Sequence, residues 1–136
     1  RERGRVTGTQ PLVLVVEDSE AIRAAFTILL EESGYTVAAV PTGGEAVRLA
    51  GERLPDLVLL DLGLPDISGI DVARRIKANP ATRHIPVVAL TGRDDDGDRE
   101  ALLAAGCSGF WLKPVDTQAL IRSLPGYIAS AAAAPG

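Results

Sequence analysis

Five short apolar runs recur along the chain, each separated from the next by enough residues for a helix. They are "LVLVV" (Leu12 to Val16), "TVAAV" (Thr36 to Val40), "LVLL" (Leu57 to Leu60), "VVAL" (Val87 to Leu90) and "GFWL" (Gly109 to Leu112). A strand with one wet face alternates apolar and polar residues, whereas these runs are nearly continuous, as expected for strands covered on both faces. Parallel strands need crossover connections of a dozen or more residues, usually helical, and that is the spacing between the runs. The chain is therefore expected to be α/β, a (βα)5 order forming an open, doubly wound, five-stranded parallel sheet. Ligands of such sheets bind outside the carboxyl ends of the strands.

The first intervening segment is the clearest helix. Ser19 is placed to cap its start, Ile22, Ala25, Phe26, Leu29 and Leu30 fall on one stripe at helical spacing, and Gly34 supplies a left-handed stop. Weaker helices are expected near Gly44 to Arg53, Ser68 to Ala78, Asp95 to Ala105 and Asp116 to Leu124, with turn signals at Pro41-Thr42-Gly43 and Asn79-Pro80. Pro125 is expected to end the last helix. At 136 residues the chain has room for one domain, expected over 11–125, with a linker or extension over 1–10 and a tail over 126–136.

Composition narrows the function. A formal net charge of −4 leaves no basic surplus for phosphate backbones, and the three arginines among the first five residues do not change that, so direct nucleic-acid binding is not expected. No apolar stretch is long enough to span a membrane. Cys107 is the single cysteine, which excludes an internal disulfide and multi-cysteine zinc sites, and a reducing, cytoplasmic setting is the expectation.

Four of the five runs end in a polar or charged residue. Glu17 and Asp18 follow the first, Asp61 the third, Thr91 the fourth and Lys113 the fifth. Taken alone, Asp61 is compatible with a turn cap, a solvated carboxylate, a metal ligand or a nucleophile. The sheet changes this, because it brings all these ends to one edge. Three carboxylates crowded together raise one another's pKa unless a cation sits among them, and oxygen-only ligands suit a hard ion such as Mg2+, which takes few carboxylates and is completed by water and phosphate oxygens. Lys113 and Thr91 suit phosphoryl oxygens, which leaves Asp61 as a nucleophile toward phosphorus.

At these residues the chain resembles the receiver domain of two-component response regulators. The resemblance covers roughly Leu12 to Leu124 and rests on "VVEDSE", "LLDLGLPDISGID", "ALTG" and "AGCSGFWLKP", found in order. It implies a flavodoxin-like sheet with strand order 2-1-3-4-5. It also implies that Asp61 accepts a phosphoryl group from a histidine kinase or a histidine phosphotransfer protein in a phosphorelay. Asp18 would be the direct Mg2+ ligand, Glu17 would act through water, and Gly63 would offer its carbonyl. Thr91 and Lys113 would grip the phosphoryl oxygens, Phe110 would be the switch aromatic beside Thr91, and Lys113-Pro114 would be cis. An output domain, fused or separate, would read the result. Glu17 stands where many members have a second aspartate, and Trp111 is bulkier than the residue expected there; strand alternation puts it on the face opposite Phe110.

The other chemical groups have plainer readings. In "DDDGD", Asp94 to Asp98, a calcium loop turning at Gly97 would start at Gly92 and finish at Leu103, neither a carboxylate, so these acids are expected at a helix N-terminus. His84 reads as an ordinary loop residue and Cys107 as structural. Two other functions compete: a receiver-like docking or dimerisation module that is never phosphorylated, and an aspartyl-phosphate phosphatase of the haloacid dehalogenase type. The second would need another acid two residues past the nucleophile, where this chain has Gly63.

Overall fold

The computed structural model describes residues 10–92 and 96–133. Asp94 and Asp95, and the arginines of the first five residues, lie outside them. The elements alternate without exception: β1 (Leu12–Val16), α1 (Glu20–Glu32), β2 (Thr36–Val40), α2 (Gly43–Arg53), β3 (Leu57–Asp61), α3 (Gly69–Ala78), β4 (Val87–Thr91), α4 (Asp96–Ala104), β5 (Gly109–Leu112) and α5 (Thr117–Ala133). The strands pair in parallel in the order β2-β1-β3-β4-β5. All five fall on the apolar runs. β3 and β4 each take in one residue more, so Asp61 and Thr91 are the last residues of their strands and not the first beyond them.

Period-two alternation divides each strand between two cores. Leu14, Val16, Val58, Leu60, Val87 and Ala89 point to one face, where Ala46 and Ala50 of α2, Val72 and Ile76 of α3 and Leu102 of α4 cover them. Val13, Val15, Leu57, Leu59, Val88 and Leu90 point to the other, against Phe26 and Leu30 of α1 and Leu120 and Leu124 of α5. Each large aliphatic side chain taken fully from water contributes roughly 1.5–3 kcal/mol, so the central strands, buried on both faces, anchor the fold.

Caps set the helix starts. Ser19 Oγ accepts the Ile22 N–H at 3.3 Å, Thr42 Oγ1 accepts that of Glu45 at 3.2 Å, and Ser68 Oγ that of Asp71 at 3.1 Å. Gly34 follows α1 at φ 99°, a left-handed stop. The apolar stripe of α1 is only partly buried: Phe26 and Leu30 are inside, whereas Ala25 is exposed and Ile22 is 43% exposed. The first turn of α1 lies at the rim of the cleft beyond the strand ends, where no sheet surface remains to cover it.

Pro125 does not end α5, which continues through Ala133. A proline inside a helix costs about 3 kcal/mol. Here Pro125 and Gly126 face solvent, and continuing the helix packs Tyr127 and Ile128 on the core cluster of α1 and α5. Trp111 belongs to the same cluster and donates Nε1–H to the Tyr127 hydroxyl at 3.3 Å, while Phe110 packs on the opposite face, as alternation requires. Cys107 is buried, which pushes its thiol up to about 11. His84 is exposed before β4.

Gly69, the first residue of α3, lies directly against the chain that leaves β3. A Cβ there would sit 2.7 Å from Leu62 Cα. Gly69→Ala is expected to lower stability by about 1–3 kcal/mol through overpacking. Gly51→Ala, in open space on α2, is expected to raise it by about 0.5–1 kcal/mol. Urea unfolding of both variants measures the difference.

Candidate functional site

Main-chain pairing continues past the strand ends and holds the polar residues. Glu17 N–H donates to Val40 O at 3.1 Å, Leu62 N–H to Leu90 O at 3.2 Å and Lys113 N–H to Thr91 O at 2.8 Å. The register sets Asp61 opposite Leu90, and Thr91 opposite Leu112. Glu17, Asp18, Asp61, Gly63, Thr91 and Lys113 accordingly line one open cleft of about 600 Å³ at the carboxyl edge of the sheet. Phe110 lies outside this lining, half-buried on β5, with the Arg99 guanidinium 5.3 Å from its ring centre. Lys113-Pro114 is cis.

Asp61 is the most enclosed acid of the cleft together with Glu17, each 4% exposed, while Asp18 is exposed. Each of the three offers a carboxylate oxygen, and these atoms all lie within 4.8 Å of one another. Lys113 Nζ donates to Asp61 Oδ1 at 2.7 Å, and the Gly63 N–H donates to the same oxygen at 3.3 Å. The lysine side chain stays 39% exposed, so water screens the pair and its net contribution to stability is small. Burial pushes the Glu17 carboxyl upward; the Ser19 N–H bond to Glu17 Oε2 at 3.0 Å opposes this, and the charge of Asp61 adds to it. One ammonium cannot balance three crowded carboxylates, two of them buried. The donor set is all hard oxygen, which fits a small divalent cation.

Arg23 was not legible as part of this site. From the first turns of α1 its Nη1 donates to Glu17 O at 2.9 Å and Asp18 O at 3.2 Å, bracing the loop that carries both acids. The only sequence signal is an arginine four residues after a helix cap, which is too common to select.

With this geometry in place, comparison with known proteins is decisive. Residues 13–125 match the family model of the response regulator receiver domain. The chain belongs to that family. Receiver domains are the phosphoacceptor modules of two-component signalling, and their partners are histidine kinases or phosphotransfer proteins. Among relatives, the polar-differentiation response regulator DivK of Brucella ovis is 38% identical over 119 residues, which is 88% of this chain and 97% of that protein. Among solved structures, the receiver domain of a sensor histidine kinase from Pseudomonas aeruginosa, with a magnesium ion coordinated in its active-site cleft, superposes with a TM-score of 0.81. It is 34% identical, over 89% of this chain and 99% of that one. The signal receiver domain of a histidine kinase from Syntrophus aciditrophicus superposes with a TM-score of 0.83 at 31% identity, over 93% and 96% of the two chains. No helix among the described residues is long and apolar enough to cross a membrane.

The upward displacement of Glu17 makes the receiver domain's stability depend on pH. Between the ordinary carboxylate value of 4.5 and the higher native value, the folded chain keeps a proton that the unfolded chain has lost. The contribution of Glu17 to metal-free stability is therefore expected to fall as pH rises through that window. Urea midpoints measured across it should show this slope in the wild type and lose it in Glu17→Gln.

Proposed function

We propose that this receiver domain accepts a phosphoryl group on Asp61 from the phosphohistidine of a histidine kinase or a histidine phosphotransfer protein, with Mg2+ as cofactor. The observation that carries the reading is the convergence on Asp61: two further carboxylates within 4.8 Å and the Lys113 ammonium at 2.7 Å, at the end of a buried central strand. A carboxylate oxygen of Asp61 attacks phosphorus, the bond from phosphorus to the donor imidazole nitrogen breaks, and the imidazole keeps that electron pair. The product is an acyl phosphate on Asp61. Lys113 pairs with one phosphoryl oxygen as a point charge, and the Thr91 hydroxyl donates to another.

Asp18 and Asp61 would hold the metal directly, Glu17 through water, and Gly63 through its carbonyl. The magnesium ion in the cleft of the Pseudomonas aeruginosa relative supports this assignment. When bound, Mg2+ supplies charge neutralisation for the carboxylates and the phosphoryl oxygens. The chain takes part in its own phosphorylation and dephosphorylation and turns over no other substrate. It acts in the cytoplasm, where ATP-dependent kinases charge their histidines.

Thr91 and Phe110 form the switch. A phosphoryl group on Asp61 draws the Thr91 side chain toward it, and Phe110 on the adjoining strand takes the space released. The altered surface of β4, α4 and β5 is what an output domain, fused or separate, reads.

Incubation with acetyl phosphate and Mg2+ is expected to give an adduct that survives acid and is lost in base, detected by intact-protein mass. Asp61→Asn should abolish it, and chelation of Mg2+ should slow its formation at least tenfold. Undiminished labelling of Asp61→Asn overturns the acceptor. Absence of both labelling and Mg2+ binding in the wild type would favour a docking module.

A further inference from the structure

The loop from Leu62 to Ser68 carries Gly63, which lines the cleft and whose carbonyl is proposed above as a metal ligand. Its first residue is tied to the sheet through Leu62 N–H and Leu90 O, and its far end through Gly69 N–H and Leu62 O at 3.4 Å. Between these ties the loop leaves the strand edge, and Pro65 has no N–H to donate. Leu64 and Ile67 pack on the core and the Gly63 N–H bonds Asp61 Oδ1, and the polar tie at the middle of the loop comes from a different layer. Asp66 Oδ1 accepts the Gly43 N–H at 2.9 Å, and Asp66 Oδ2 accepts the Gly44 N–H at 2.9 Å, both from the first turn of α2.

Helix α2 already has its own cap in Thr42, whose hydroxyl also donates to Glu45 Oε2 at 2.9 Å. Thr42 accepts only the Glu45 N–H, and the Gly43 and Gly44 N–H groups, which have no acceptor within the helix, are met by a carboxylate 23 and 22 residues away in the chain. The two glycines make room for the loop. A Cβ at Gly43 would lie 2.5 Å from Ile67 Cγ1, and one at Gly44 would lie 3.3 Å from Asp66 Oδ2 itself. The helix start and the loop are therefore fitted to each other at two consecutive positions. The bonds to Gly43 and Gly44 also hold the Asp66 carboxyl below its usual range, so it is charged throughout the physiological range.

We propose that Asp66 is a positioning residue of the metal site, gripping two α2 amides so that the loop holds the Gly63 carbonyl toward the acid cluster. The inference rests on the reading that the cluster and this carbonyl bind Mg2+. Asp66 touches no metal itself; it acts through Leu64 and Pro65, the two residues between it and Gly63. Removing its carboxylate loses the polar tie at the middle of the loop, leaving the packing of Leu64 and Ile67 and leaving Glu17, Asp18 and Asp61 in place. The affected quantity is then metal affinity, and the phosphoryl chemistry at saturating metal is spared.

The test is calorimetric titration of MgCl2 into wild type, Asp66→Ala, Asp66→Asn and Asp56→Asn, together with acetyl phosphate labelling rates as a function of MgCl2. Asp56 is a matched control, because its Oδ2 accepts the Leu12 N–H at 2.7 Å at the opposite end of the sheet. Asp66→Ala is expected to weaken Mg2+ binding on the order of tenfold. Its labelling rate should return to within about twofold of wild type once Mg2+ saturates. Asp66→Asn, which keeps one acceptor oxygen, should fall between. Asp56→Asn should lower the urea midpoint with no change in Mg2+ affinity. If Asp66→Ala lowers stability but binds Mg2+ as wild type does, Asp66 is only a helix cap and the proposal fails. If wild type shows no saturable Mg2+ binding, the reading of the acid cluster fails first and this inference with it.

Discussion

The parallel register of β3 is the constraint on which the rest depends. All five residues of that strand are buried, and it pairs with β1 on one side and β4 on the other. Because side chains alternate between two cores, a slip of one residue would exchange every contact on both faces. The apolar residues thus fix the strand, and the strand fixes where the chain first reaches the carboxyl edge. Asp61 is the residue delivered there. Glu17, Thr91 and Lys113 reach the same edge because each neighbouring strand is in register with the next and the main-chain pairing runs one step beyond the ladder.

Burial and charge pull in opposite directions at this edge. Hydrophobic packing brings Asp61 and Glu17 down to 4% exposure, and electrostatics resists it, as the upward displacement of Glu17 records. Lys113 answers one carboxylate oxygen and leaves surplus negative charge in the cleft. A fold stabilised mainly by its two apolar cores can tolerate this locally. The surplus suits a divalent cation, whose binding would recover stability given up at the site.

The fold was largely legible because its determinants are local. Continuous apolar runs locate strands whichever strands they pair with, and Ser19 and Gly34 mark helix ends by bonds and dihedrals within a few residues. The acids, Thr91 and Lys113 were legible for a related reason, since the topology sends every strand end to the same edge. Three features escaped. Pro125 is a helix breaker by its own chemistry, and only the packing of Tyr127 and Ile128 on a distant strand face outweighs it. Ile22 fits the apolar stripe of α1, yet the stripe continues past the point where the sheet ends. Arg23 and Asp66 bond main-chain groups, which carry no residue identity, so no spacing in the sequence names their partners.

Burial also decides where a response can travel. β3 and β4 are buried at every position, whereas β5 is the least covered of their neighbours, half-buried at Gly109, Phe110 and Trp111 and exposed at Leu112. Moving β3 as a strand would open cavities in two cores at once, each at a cost of a few kcal/mol. Displacing Phe110 disturbs a half-buried side chain at the margin of one core, beneath Arg99. The proposed acceptor therefore sits on a strand that resists movement and the proposed switch on one that is less enclosed. The alternation of β5 adds a second consequence. Phe110 packs toward α2, α3 and α4, and Trp111, its neighbour in the chain, reaches α5 through the Tyr127 hydroxyl. A shift of four residues on one edge strand is thereby felt on both faces of the sheet, on the side farthest from β2.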